Sequence, residues 1–229
     1  MSTSFHWELM RGRVIAFEGP DGCGKTTQVS FVEQAAQAAG VPVVRFREPG
    51  GTPLGERIRG ILMDRDATTD IDPLADVLLF TAARQQLWAT KICSALQERN
   101  LVLLDRTWMS TVVYQKFDAQ TLYSLHGLLK APRRYDPDLT IILSVPAEVA
   151  VDRLLARQKT FAEPIPRTED TGDRDRMIES YKRKDAKYRE LRRFVDNYCE
   201  IADIGDAPPK MAANIVFSIL SDPDTWDGF

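Results

Sequence analysis

Residues Arg13 to Gln28 constrain this chain more than any other stretch. A short apolar run, Val14-Ile15-Ala16-Phe17, leads into Glu18-Gly19-Pro20-Asp21-Gly22-Cys23-Gly24-Lys25-Thr26-Thr27. Gly19, Gly24, Lys25 and Thr26 satisfy the spacing G-x-x-x-x-G-K-[ST], set between a strand-like run and a helix-like one. The chemistry explains the pattern. Glycines let the backbone turn so tightly that its N–H groups point at phosphate oxygens, and the helix that follows adds the positive end of its dipole. Lys25 is then placed to reach the β and γ phosphates and Thr26 a magnesium ion. Residues 18–27 therefore read as a phosphate loop for a nucleoside triphosphate, with Asp21, Gly22, Cys23 and Thr27 inside it.

Short, continuous apolar runs recur at Val14 to Phe17, Val41 to Arg47, Leu101 to Asp105, Leu139 to Val145 and Cys199 to Ile204. Unbroken runs of this length suit strands buried on both faces. Helical patterns intervene at Thr26 to Ala39, Pro53 to Met63, Pro73 to Arg99, Ser110 to Leu129 with a break near Asp118, Pro146 to Arg157, Asp175 to Asn197 and Pro208 to Leu220. The alternation predicts one α/β domain over residues 1–229: a five-stranded parallel sheet of phosphate-loop NTPase type with helices on both faces. Its sites are expected at the carboxyl ends of the strands. Lys159 to Gly172 combines Pro164, Pro166 and Gly172 without helical period and reads as a mobile loop. The tail from Ser221 to Phe229 can dock on the body or fray.

Composition narrows the partners. A net charge of −3, with 44% hydrophobic and 28% charged residues, suits a globular protein and gives no reason to expect nucleic acid. The segment Arg153 to Arg193 holds 13 Lys/Arg against 8 Asp/Glu, a local surplus that suits a polyanion or a solvated helix face. Cys23, Cys93 and Cys199 are too few and too scattered for a disulfide framework, and Cys23 reads as a small filler rather than a nucleophile. Met1 to Met10 has no basic stretch before an apolar core, and no run approaches the ~18 apolar residues of a membrane span. A cytoplasmic protein without membrane contact is expected.

Three further constellations carry chemistry. Asp105-Arg106 follows the third strand, where an acidic residue near a phosphate loop can organise magnesium and the guanidinium can grip phosphate. Arg45-Phe46-Arg47-Glu48-Pro49-Gly50-Gly51-Thr52 follows the second strand, with Arg59 on the helix behind it. Phe80 and Arg84 stand four apart on one helix face, either as a base-stacking ring beside a carbonyl donor or as core plus a snorkelling arginine.

Together these stretches resemble the thymidylate kinase family. The loop Phe17 to Thr27 is similar to its nucleotide-binding signature. Arg47-Glu48-Pro49-Gly50-Gly51-Thr52 with Gly55-Glu56-Arg57-Ile58-Arg59 resembles the second motif, Leu79-Phe80-Thr81-Ala82-Ala83-Arg84 the third, and Asp105-Arg106 with Ser110, Thr111, Tyr114 and Gln115 the fourth. The likeness runs from about Arg13 to about Ile204.

The resemblance implies transfer of the γ-phosphoryl group of ATP to dTMP, with Mg²⁺ required, by a homodimer. It implies Lys25 and Thr26 on the ATP phosphates and metal, Asp105 beside the metal, and Asp21 near the acceptor's sugar and phosphate. Arg59 and Arg106 would hold the monophosphate, with Glu48 and Ser110 in the acceptor set. Phe80 would stack on the pyrimidine, Arg84 would donate to its O4, and Thr111 and Gln115 would lie near its polar edge. Tyr114 would crowd C2′, and Arg153 would pack against adenine. The phosphate loop lacks an arginine, so the catalytic cation is expected from a lid at about 158–174. Arg157, Arg167, Arg174 and Arg176 are candidates, with Arg174 or Arg176 favoured. For the dimer, the long helix offers Leu74, Val77, Leu78, Leu87 and Trp88, which would serve an ordinary core equally well.

The chain departs from the family at Lys116-Phe117-Asp118, where a glycine-rich loop is common. It departs again at Thr107-Trp108, at Ser144 in place of an aspartate, and in a longer, proline-bearing lid. Trp108 either covers the acceptor or packs in the core. Two other functions stay open: a kinase for another deoxynucleoside monophosphate, such as dUMP or a 5-substituted dUMP, and a nucleotide-binding switch with no acceptor.

Overall fold

The computed structural model describes residues 7–63, 71–115, 119–130, 136–161, 173–194, 198–222 and 225–226. Five strands, β1 (Val14–Glu18), β2 (Val43–Arg47), β3 (Leu101–Asp105), β4 (Leu139–Ser144) and β5 (Tyr198–Asp203), form one parallel sheet in the order β2-β3-β1-β4-β5. β1, β3 and β4 are buried at every position, as their unbroken apolar runs require. β2 lies at an edge, which is why it tolerates Arg45 and Arg47.

The helices are α1 (Lys25–Ala38), α2 (Pro53–Met63), α3 (Pro73–Leu87), α4 (Cys93–Gln97), α5 (Trp108–Tyr114), α6 (Ala119–Lys130), α7 (Ala147–Phe161), α8 (Arg174–Leu191) and α9 (Pro209–Ser221). Local chemistry starts several of them. The Asp72 carboxylate accepts from the N–H groups of Leu74 and Ala75, with Pro73 at the first helical position. Asp173 caps α8 through Asp175 N–H and Arg176 N–H.

Some expectations need correction. The helix expected unbroken from Pro73 to Arg99 passes through a π-helical turn at Trp88–Ile92 before α4 begins. The wider turn sets Leu87, Trp88, Ile92 and Ala95 together in the cluster under β1 and β3. Val77, Leu87 and Trp88 are thus core residues, unavailable to a dimer contact, whereas Leu74 and Leu78 are about half exposed. Helix α7 continues to Phe161, into the stretch expected as loop; residues 162–172 of the lid, Arg167 among them, and 116–118 lie outside the described residues.

The tail docks. The Trp226 indole is buried, donates to Leu220 O at 2.9 Å and lies under the Arg13 guanidinium. Trp108 packs in the core, stacked on His126 at 4.8 Å between ring centroids. Ser144 joins β4 to α8 and β5: its hydroxyl donates to Asp185 and accepts from Arg189, which also holds Asp203. Neighbouring elements therefore supply the carboxylates that this strand end lacks.

Candidate active site

The loop after β1 lies directly on its neighbours. Gly19 (φ +133°) would place a Cβ 2.4 Å from Leu143 O, and Gly22 (φ +86°) would place one 2.4 Å from Ala150 O. Only glycine fits at either position. Gly24 then serves as the N-cap of α1 in left-handed conformation, so the positive end of that helix opens onto the loop. The Lys25 ammonium is curled over this loop, donating to Gly19 O and Pro20 O at 2.9 Å each. The Thr26 hydroxyl donates to Asp105 Oδ2 at 2.7 Å.

A cleft of about 1120 Å³ opens at these strand ends. Asp21 to Thr27, with Arg153 and Arg157 of α7, line it. Glu48, Arg59, Asp105 and Arg106 line the same cleft. One cavity thus carries the anion cradle together with several guanidinium groups, those of Arg45, Arg47, Arg59 and Arg106 among them.

Arg106 is the most constrained of these residues. Its backbone is left-handed (φ +77°), a region a side chain occupies at a cost. Its guanidinium is paired with Asp21 and donates to Ser110 Oγ at 2.9 Å. Tyr114 completes the group: its hydroxyl donates to Asp21 Oδ2 at 3.0 Å and accepts from Asp21 N–H at 3.1 Å. Burial alone would raise the Asp21 carboxyl, but Arg106, Lys25 and the Tyr114 hydroxyl outweigh it and hold the group below its ordinary value. Burial, reinforced by Asp21, pushes the Tyr114 hydroxyl well up, so it stays protonated and serves as a donor. Burial also raises the Cys23 thiol, in keeping with a filler rather than a nucleophile.

Behind the cleft, Arg84 is held from two sides. Its Nε donates to Glu48 Oε2 at 2.6 Å and its terminal nitrogen to Thr111 Oγ1 at 2.9 Å. Burial raises the Glu48 carboxyl despite the facing guanidinium. Arg84 and Thr111 also line a small cavity of about 30 Å³ beside the larger one. Phe80 lines neither cavity; it is half-buried against Ile58, Leu62 and Ala83. Gln115 is half-buried at the end of α5 and is also on neither lining.

The two favoured lid arginines lie off the cleft lining. Arg174 makes a two-point pair with Asp152 at 2.9 and 3.1 Å, and Arg176 faces its own helix cap, Asp173, at 3.8 Å. Sequence reasoning placed Glu18 at the start of the phosphate loop without giving it a task, and it missed Tyr188. Glu18, wholly buried, and Tyr188 of α8 meet beneath Arg106, at 3.1 Å from carboxylate to hydroxyl. An acidic residue closing an otherwise apolar strand was the available signal for Glu18. For Tyr188 there was none.

A phosphate loop and further guanidinium groups on one cleft suit transfer between two anionic substrates. The fold is that of phosphate-loop nucleotide-binding proteins, and this cleft suits the phosphotransferases among them. Comparison with known proteins refines the class. The family model described as "Thymidylate kinase" matches residues 17–203. The chain is 40% identical over 159 residues to a thymidylate kinase of Trichlorobacter lovleyi, covering 68% of this chain and 73% of that one. It is 43% identical over 150 residues to one of Geobacter sulfurreducens, covering 64% and 69%. The solved thymidylate kinase of Ehrlichia chaffeensis superposes with a TM-score of 0.67 at 27% identity, over 91% of this chain and 98% of that one. The chain belongs to the thymidylate kinase family.

Proposed function

We propose that this chain transfers the γ-phosphoryl group of ATP to dTMP in the cytosol, forming dTDP and ADP, and that it works as a homodimer. Family membership supports the reaction. The observation that carries it is the shared cleft, which Lys25 at the α1 N-terminus, Arg59 and Arg106 all line. No general base is needed, because the attacking phosphate oxygen is already anionic. Phosphoryl transfer passes through a loose transition state with charge on peripheral oxygens, so alignment and charge neutralisation supply most of the rate.

Each residue then has a task. Lys25 exchanges its loop carbonyls for phosphate oxygens, and Arg153 borders the adenine. Arg106, aimed by Asp21 and Ser110, holds the acceptor phosphate together with Arg59. Arg84 and Thr111 meet the polar edge of the base, with Gln115 nearby. Half-buried Phe80 has ring area left for stacking, and Tyr114 crowds the sugar. Arg157 is the lid-side cation on the cleft, and Arg174 or Arg176 reaches the phosphoryl group only by giving up its present carboxylate.

The donor set of Thr26 and Asp105 fits Mg²⁺: a hydroxyl and a carboxylate 2.7 Å apart, both hard oxygen ligands. Among the described residues no cluster of three His, Cys, Asp or Glu competes for the ion. Mg²⁺, when bound there, neutralises charge on the β and γ phosphates.

Measurement of ADP release over dTMP, dUMP, 5-substituted dUMPs, dCMP, dGMP and dAMP tests the acceptor. dTMP is expected to give the highest kcat/KM, and ATP turnover that no acceptor stimulates would sink the reading in favour of a switch. The dimer is supported by apolar side chains exposed on two packed helices: Leu54 and Ile61 on α2, Leu74 and Leu78 on α3. Sedimentation should show a dimer that Leu78→Asp converts to monomer. A monomeric wild type would refute it.

Among the described residues no helix is long and apolar enough to cross a membrane. The cytosol is assigned as the compartment of the nucleotide substrates.

A further inference from the structure

Glu18 is 0% exposed, yet it is a carboxylate closing a strand whose other members are all apolar. Among the described residues its two oxygens receive five hydrogen bonds. Oε1 accepts from Thr107 N–H (2.6 Å), the Thr107 hydroxyl (2.8 Å) and Ser110 N–H (3.2 Å). Oε2 accepts from the Ser110 hydroxyl (2.8 Å) and the Tyr188 hydroxyl (3.1 Å). Every one of these donors is neutral. Burying a carboxylate is costly even when it is fully bonded, and an apolar residue would fill the space more cheaply.

What the five bonds have in common is Arg106. Its own N–H donates to Phe17 O at 3.0 Å, and the next N–H, that of Thr107, donates to the Glu18 carboxylate. The left-handed residue is thus pinned on both sides by consecutive residues of β1. Its guanidinium donates to Ser110 Oγ, and it lies 3.5 Å from the Tyr188 hydroxyl, the two groups that sit on Oε2. Tyr188 belongs to α8, the helix that begins where the lid segment ends.

We propose that Glu18 is a positioning residue for Arg106. It pins the strained turn that carries the guanidinium to Asp21, and through Tyr188 it ties that turn to α8. The inference rests on the reading of Arg106 as a ligand of the acceptor phosphate. The bland alternative is a carboxylate that merely staples β1 to α5, and it makes different predictions. A staple alters stability. A positioning residue alters acceptor recognition, and only while Arg106 is present.

The test uses the full-length protein with Glu18→Gln, Arg106→Ala and the double variant, measuring KM for dTMP, KM for ATP, kcat and thermal melting. Glu18→Gln should raise KM for dTMP about tenfold or more while leaving KM for ATP within about twofold. In the Arg106→Ala background the same change should move KM for dTMP by less than about twofold. Should Glu18→Gln fail to fold, Tyr188→Phe, which deletes one hydroxyl, should raise KM for dTMP at least about threefold with Arg106 present and not without it.

A lowered melting temperature with KM for dTMP unmoved overturns the proposal. So does an equal effect in both backgrounds. A wild type that does not phosphorylate dTMP, or an Arg106→Ala variant with normal KM for dTMP, overturns it by removing the acceptor reading beneath it. An active, Arg106-dependent enzyme in which Glu18 is uncoupled removes the positioning role alone.

Discussion

Lys25→Met is expected to lower kcat about 10²- to 10³-fold while leaving the protein folded, as judged by its circular dichroism and melting curve. The ammonium has three donors, and two of them now satisfy Gly19 O and Pro20 O. Phosphate oxygens compete for those donors with a full charge that carbonyls lack, so the side chain is preorganised close to its working position. It is 6% exposed, in a place where water screens poorly and a charge acts strongly on a neighbouring anion. Lys25→Arg should rescue little, because a planar fork cannot enter a slot shaped for a narrow ammonium stem. Asp21 gives a second readout: Lys25 is one of the charges that hold its carboxyl low, so the methionine variant should titrate Asp21 at a higher pH by NMR. Turnover within tenfold of wild type would mean that the loop does not hold the transferred phosphate.

The loop between β1 and α1 was legible in the sequence because its residues are contiguous. Gly19 to Thr27 form one turn, and the steric demand that makes Gly19 and Gly22 obligatory comes from β4 and α7 lying against the loop. The sheet was equally legible, since β1, β3 and β4 have no polar face to disguise. The proposed acceptor half is assembled from separate elements: Glu48 after β2, Arg84 on α3, Arg106 after β3, Tyr188 on α8. Glu48, Arg84 and Arg106 could be named from the family's motifs, but neither Tyr188 nor the partners of any of them could. That Arg84 is tied to Glu48, or that Glu18 rather than a cation sits beneath Arg106, depends on where helices land on the sheet. The π-helical turn was hidden for a related reason. Trp88 and Ile92 suit a regular helix as well as a widened one, and packing under β1 and β3 decides between them.

Arg84→Met is expected to destabilise the fold by about 3–5 kcal/mol at neutral pH, because it leaves the Glu48 carboxylate buried without its counter-ion. For a domain of this size that corresponds to a fall of roughly 6–20 °C in melting temperature. The pH dependence has a definite sign. Burial already raises the folded-state value of Glu48 above its ordinary 4.5, and losing Arg84 raises it further. An acid with a raised folded-state value opposes folding above its unfolded-state value, so the deficit should be largest near neutrality. It should shrink as the pH falls through 4.5 and vanish below it, where Glu48 is protonated in both states. Glu48→Leu combined with Arg84→Met removes both charges and should recover most of the lost stability, since a buried pair often does no better than apolar residues in its place. Acceptor recognition should not recover with it. If Arg84 also donates to the base, the double variant melts near wild type yet keeps a KM for dTMP raised about tenfold or more, the loss expected when a hydrogen-bond donor to a buried substrate group disappears. A double variant restored in both respects would confine Arg84 to holding Glu48, and the base would have to be read by Thr111 and its neighbours.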